Sequence, residues 1–153
     1  MARYFTHLWT NDTWERNRES EGEPLRHTAS NEFHRKQVKP GDLLFVVTVA
    51  EGKLHLLGRM EVSEILPQQE AEKRLGKKLW SAREHAVGEE KNGTPQRFDR
   101  EVPLDIVREL RFITRNGEQA PIIRGRAIDQ QTFRAVRELT PPSAGLLDRI
   151  VED

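Results

Sequence analysis

The stretch LLFVVTV at residues 43–49 constrains the fold more than any other part of the chain. Six of its seven residues are apolar, and four are β-branched, so it favours a strand. It shows no alternation of apolar and polar positions, so that strand must be covered on both faces. Turn signals bound it on either side. Before it stands Val38-Lys39-Pro40-Gly41-Asp42, where proline fixes one dihedral and glycine supplies a positive φ. After it, Ala50-Glu51-Gly52-Lys53 reads as a hairpin turn. Residues 54–65, LHLLGRMEVSEI, then return as a second strand, and Gly58 in its middle predicts a bulge or a bend.

Around this hairpin the chain alternates short strands and short helices. RYFTHLWT at 3–10 is aromatic and β-branched and predicts a strand. Asn11 and Asp12 offer N-cap side chains for a short helix over 13–19. Residues 20–37 read as loop followed by a helical turn. Pro67 and Gly76 bracket a helix in the manner of a first-turn proline and a terminal glycine. Residues 81–97 lack periodicity and read as a long surface loop. A strand is expected over 98–103, a helical turn over 103–110 and a short strand over 111–114. Asp129 stands before 130–139, where Phe133, Val136 and Leu139 recur at helical spacing and predict a helix stopped by Pro141-Pro142. A final helix is expected over 143–151.

The 153 residues fit one α+β domain, 1–153, and 35% hydrophobic against 33% charged residues leaves one core with many solvated charges. A chain of this length buries roughly two-thirds of its unfolded surface. Lys plus Arg equals Asp plus Glu at 25 each, which argues against gripping nucleic acid by bulk charge. A local excess exists over 111–137, where six arginines face Glu118 and Asp129. This is either a basic contact face or a solvated one. Cysteine is absent, which rules out disulfides and Cys-based zinc sites. No apolar run approaches the roughly 20 residues of a membrane span, and no signal-peptide core opens the chain, so the cytoplasm is the expected compartment.

The chemistry-bearing motifs are few. There is no phosphate-cradling G-x-x-x-x-G-K-[ST] or G-x-G-x-x-G, and no G-x-S-x-G elbow. The histidines at 7, 27, 34, 55 and 85 show no metal-ligand spacing, and no metal or cofactor is expected. A spatial catalytic triad is invisible to spacing alone. The tryptophans say more. Trp9 ends the first strand and Trp14 follows within a turn, at the kind of strand end where pockets form. Two indoles there either sandwich a flat heterocycle or fill the core. Trp80 opens the irregular segment as a further wall or a plug.

Several ordered segments resemble the EVE domain, a member of the PUA-like superfamily. The first is the aromatic strand and its Trp-containing turn, Tyr4 to Trp14. The second is the basic and polar stretch Arg26-His27-Thr28-Ala29-Ser30-Asn31 leading through Val38-Lys39-Pro40-Gly41-Asp42 into the apolar strand. The third is Gly58-Arg59-Met60-Glu61-Val62, and the fourth runs from Ile106 to Ile113 and then from Arg124-Gly125-Arg126 to Phe133. Where the family's best-known branch carries a W-G-[VI]-R-N-like motif, this chain has Pro24-Leu25-Arg26-His27-Thr28.

The resemblance implies a PUA-like mixed β-barrel with flanking short helices. It also implies a non-catalytic module that accepts a methylated or hydroxymethylated cytosine, or another modified base, from DNA or RNA, with a nuclease as partner in defence. The residues offer matching chemistry, since a flipped base needs stacking and a polar edge inside a pocket. Trp9 and Trp14 could stack. Thr10, Asn11, His27, Thr28, Ser30 and Asn31 offer edge partners. Arg26, Lys39, Arg124 and Arg126, with the Gly125 turn, could meet flanking phosphates. Arg26 and Arg124 could equally brace loops, and Asp42 reads as a turn acceptor. A small-molecule hydrolase on the same barrel and a protein–protein adaptor are the rival uses.

Overall fold

A computed structural model describes residues 1–152. The chain is α+β, with its strands in several sheets rather than one closed barrel. In chain order the first elements are β1 (Tyr4–Leu8), α1 (Asn11–Arg16), β2 (His27–Ser30), β3 (Leu43–Ala50), β4 (Lys53–Glu61), β5 (Glu64–Leu66), α2 (Gln68–Leu75) and β6 (Glu84–Val87). Then come α3 (Leu104–Glu109), β7 (Phe112–Thr114), β8 (Gly117–Gln119), β9 (Ile123–Arg124), β10 (Ala127–Ile128), β11 (Val136–Leu139) and α4 (Pro141–Glu152).

The main sheet has the order β4-β3-β1-β11-β7-β8. Its centre is mixed: β1 runs parallel to β3 and antiparallel to β11. One face carries Phe5, Trp9, Leu44, Val46 and Val136, which pack with Phe33, Met60 and Ala86. The other carries Phe45, Val47, Val49 and Leu139, which pack with Val107, Phe133 and Leu147. The unbroken apolar run of β3 therefore serves two cores at once, as its lack of alternation requires. The smaller sheet β2-β6-β5 lies over the first face, and α3 and α4 lie over the second.

The 43–65 hairpin forms as the sequence predicts, bulge included. Val46 pairs with Gly58 and Val47 with Leu56, which leaves Leu57 as the extra residue. A Cβ on Gly58 would stand 2.6 Å from Thr94 Oγ1, because the chain at 94–102 runs along the free edge of β4. Arg97 N–H donates to Leu57 O, Leu56 N–H to Arg100 O and Val102 N–H to Leu54 O. The strand expected over 98–103 is thus an intermittently bonded edge segment. The helix between Pro67 and Gly76 also forms, with Gly76 in the left-handed region at φ 71°.

Three expectations about these connecting segments fail. The 81–97 loop contains β6, and the 25–37 loop contains β2, which pair with each other from His27–Val87 to Ser30–Glu84. The helix expected over 130–139 is a 3-10 turn, Gln130–Phe133, followed by β11. Ala135 stands between them at φ 57°, a conformation no α-helix continues through. Val136 and Leu139 then face opposite sides of the sheet, as a strand places residues three apart.

Candidate functional site

The site lies where β1 ends, on the face covered by the small sheet. Alternation along β1 sends Phe5, His7 and Trp9 to that face, and β2 brings Thr28 against them. Thr28 is fully buried, and its Oγ1 accepts the indole N–H of Trp9 at 2.8 Å. Its single hydrogen is then free for Nδ1 of His7 at 2.7 Å. This three-residue network holds Trp9 in one orientation. Burial pushes the His7 pKa down to about 4, so the ring is neutral at pH 7.

A second chain of hydrogen bonds starts at α2. The Gln68 side-chain amide donates to Glu72 Oε2 and to Leu79 O, and its Oε1 accepts from Ala82 N–H. These three partners fix the orientation of the amide. The same Oε1 lies 2.6 Å from Nε2 of His85, which also lies 3.2 Å from Ala82 O. Nδ1 of His85, on β6, meets Nε2 of His27, on β2, at 2.9 Å, and the two rings are nearly parallel at 15°. Burial, and then the neighbouring His85, push the His27 pKa down to about 3. Both histidines are held below the ordinary imidazole value.

In front of this wall opens a cavity of about 280 Å³. Trp9, Arg26, His27, Lys77, Lys78 and Trp80 line it, with Glu19, Glu23 and Glu90 among the acidic groups at its edge. Trp80 meets Trp9 edge-on at 5.6 Å and His27 edge-on at 4.7 Å. It remains partly exposed, whereas Trp9 is buried behind it. Arg26 pairs with Glu90 at 3.2 Å, while its buried Nε has no partner among the described residues. Gly93 positions this side of the cavity. A Cβ there would lie 2.1 Å from Leu25 O, so only glycine lets 93–95 close against Leu25, whose N–H donates to Thr94 O.

The structure gathers Trp9, Arg26 and His27 at one cavity, with Thr28 directly behind its wall. It does not gather the rest. The expected sandwich of Trp9 and Trp14 is overturned: the two indoles meet edge-on at 6.2 Å, both are buried, and no ring-sized gap separates them. Trp14 donates to Phe98 O and, with Asn11, faces a different cavity beside His55. Thr10 caps α1 by accepting from Thr13 N–H, and Ser30 accepts from Glu32 N–H. Asn31 accepts from Arg83 N–H. Lys39 contributes its backbone N–H to Asp42, whose second oxygen accepts from Arg3 N–H, so Asp42 is the turn acceptor. Arg124, Gly125 and Arg126 form the β9–β10 hairpin turn, where Gly125 sits at φ 64° and Arg124 faces Asp129 at 3.4 Å. Both arginines line a separate cavity beside Gly52 and Leu104.

Sequence reasoning left Trp80 undecided and missed Gln68, Lys77, Lys78 and His85. His85 lies in the aperiodic 81–97 segment, whereas Gln68 sits on the predicted helix α2 and Lys77, Lys78 and Trp80 follow it. The pairing of β6 with β2 is what brings them to the site. Among the described residues no three of His, Cys, Asp and Glu converge as metal ligands. Among the same residues no helix is long and apolar enough to cross a membrane. Compared with models of known protein families and with curated protein sequences, the chain matches none.

Proposed function

We propose that this chain is a non-catalytic nucleobase-binding module related to the EVE domains of the PUA-like superfamily. In this reading the cavity beside Trp80 and His27 receives a modified base, methylated or hydroxymethylated cytosine in the first instance, carried by DNA or RNA. The observation that carries the reading is a partly exposed indole set beside a neutral imidazole in one small cavity. The volume of about 280 Å³ lies just under the roughly 300–1,000 Å³ of drug-sized ligand sites, in keeping with a single base. Trp80 supplies the stacking surface, and Trp9, locked by Thr28, backs it. Lys77, Lys78 and Arg26 stand at the rim, where phosphates flanking an inserted base would pass.

The test is a titration with an oligonucleotide carrying one 5-hydroxymethylcytosine, at fixed salt. Trp80→Ala is expected to weaken binding by about 1–3 kcal/mol, the contribution of one stacked base. Arg124→Ala, on the hairpin lining another cavity, is expected to leave affinity unchanged. Unaltered binding by Trp80→Ala would falsify the assignment.

A further inference from the structure

The relay behind His27 has a polarity. The Gln68 amide cannot be turned over, because its oxygen would then face the Glu72 carboxylate and the Leu79 carbonyl, and its NH₂ the Ala82 N–H. Nε2 of His85 therefore faces two acceptors, Gln68 Oε1 and Ala82 O, and must carry the hydrogen. A neutral His85 consequently has a bare Nδ1. Only a hydrogen on Nε2 of His27 can fill the 2.9 Å contact between the two rings. A neutral His27 is then left with a bare Nδ1, which has no partner among the described residues and is not one of their buried, unpartnered atoms. His27 lines the cavity.

We propose that His27 Nδ1 is the specificity-determining acceptor of this cavity, fixed as an acceptor by Gln68 and His85, and that the ligand is a heterocycle presenting an N–H donor on its inserted edge. This rests on the base-binding reading and narrows it. Cytosine and adenine, with exocyclic amines, meet the requirement; a ring whose donor edge is fully alkylated does not. The neighbouring side chains act around this choice. Lys77, Lys78 and Arg26 are donors and suit phosphate or carbonyl oxygens. The carboxylate of Glu90 is engaged by Arg26. Glu19 and Glu23 at the edge are charged acceptors that draw cations as well as donors, whereas His27 is an uncharged acceptor on the cavity wall. His85 and Gln68 are positioning residues, since they act through His27.

The first test needs no ligand. Long-range ¹H–¹⁵N spectra of the full chain at pH 7 should show both His27 and His85 neutral, each with its hydrogen on Nε2. A hydrogen on Nδ1 of His27 overturns the inference whatever the protein binds. The second test compares two oligonucleotides, one with 5-hydroxymethylcytosine and one with its N4,N4-dimethyl derivative. Wild type should prefer the first by about ten-fold, as one hydrogen bond to an otherwise unmet acceptor is worth roughly 1.4 kcal/mol. His27→Phe, which keeps a flat ring and loses the acceptor, should bind the two nearly alike. His27→Asn, which restores an acceptor oxygen, should recover part of the preference. A preference that survives intact in His27→Phe reflects methyl bulk alone and overturns the inference, while the base-binding reading stands. Failure of wild type to bind either oligonucleotide overturns both.

Discussion

Thr28→Val removes one oxygen from the interior and replaces it with a methyl group of nearly the same size. Thr28 is fully buried, so no water reaches the position to take over. The hydroxyl serves two partners, the Trp9 indole N–H at 2.8 Å and Nδ1 of His7 at 2.7 Å. Both are themselves buried. A buried polar group deprived of its partner costs about 1–3 kcal/mol, so two such groups cost about 2–6 kcal/mol, less whatever the valine methyl gains by packing. For a domain of this size each kcal/mol lowers Tm by roughly 2–4 °C, which gives a fall of about 4–24 °C before the packing gain is subtracted. Urea unfolding followed by tryptophan fluorescence should show a lower midpoint at unchanged slope, because the surface exposed on unfolding is the same. The Trp9 indole N–H resonance should move and exchange faster. Thr28→Ser keeps the oxygen and should lose only the smaller packing of one methyl. If Thr28→Val unfolds within about 0.5 kcal/mol of wild type, the threonine does not lock Trp9, and the rigid backing assigned to the cavity is wrong.

Two further outcomes follow from the interior. The His7 pKa is lowered by burial from 6.5 to about 4, so the unfolded chain binds a proton that the folded chain refuses. Its contribution to stability is complete above pH 6.5 and is lost as pH falls from 6.5 toward 4, up to about 3 kcal/mol, with His27 adding loss in the same direction. Urea midpoints at pH 7.5, 6, 5 and 4.5 should fall steadily, and the fall should be shallower in His7→Phe; a flat profile would contradict the burial of both rings. Trp14→Ala should destabilise the fold by about 3–5 kcal/mol, because this indole is buried against Phe98 and Trp9 and donates to Phe98 O. A variant as stable as wild type would mean that Trp14 faces solvent or ligand after all.

The parts of the fold that could be read in advance are those whose signal is local. The β3 run announced its double burial, Pro40-Gly41 and Gly52 announced the turns, and Pro67 and Gly76 announced the ends of α2. The parts that could not be read take their form from distant partners. The short segments HTAS and EHAV carry no alternation long enough to notice, and become β2 and β6 only by pairing across more than fifty residues. Phe133, Val136 and Leu139 imitate a helical stripe, yet β1 offers an antiparallel edge, and the positive φ of Ala135 turns the chain into it. Pro141 and Pro142, expected to stop a helix, instead open α4, where a missing N–H in the first turn is no loss. The site divides along the same line. Trp9, Arg26, His27 and Thr28 belong to two nearby stretches and were legible together. Trp80 at the cavity, and His85 and Gln68 behind His27, are brought there by the small sheet and α2. Arg124 and Arg126, expected to meet phosphates beside Trp9 and Arg26, sit on a hairpin whose Ile128 N–H bonds to Gly52 O at the far end of the β3–β4 turn.

The base-binding account turns on what touches the indole of Trp80. In a ¹H–¹⁵N titration of the full chain with a short DNA carrying 5-hydroxymethylcytosine, the Trp80 indole and the His27 ring signals should shift together and saturate, while the Trp14 indole stays still. Shifts confined to the β9–β10 hairpin, or none at saturating DNA, would contradict the account.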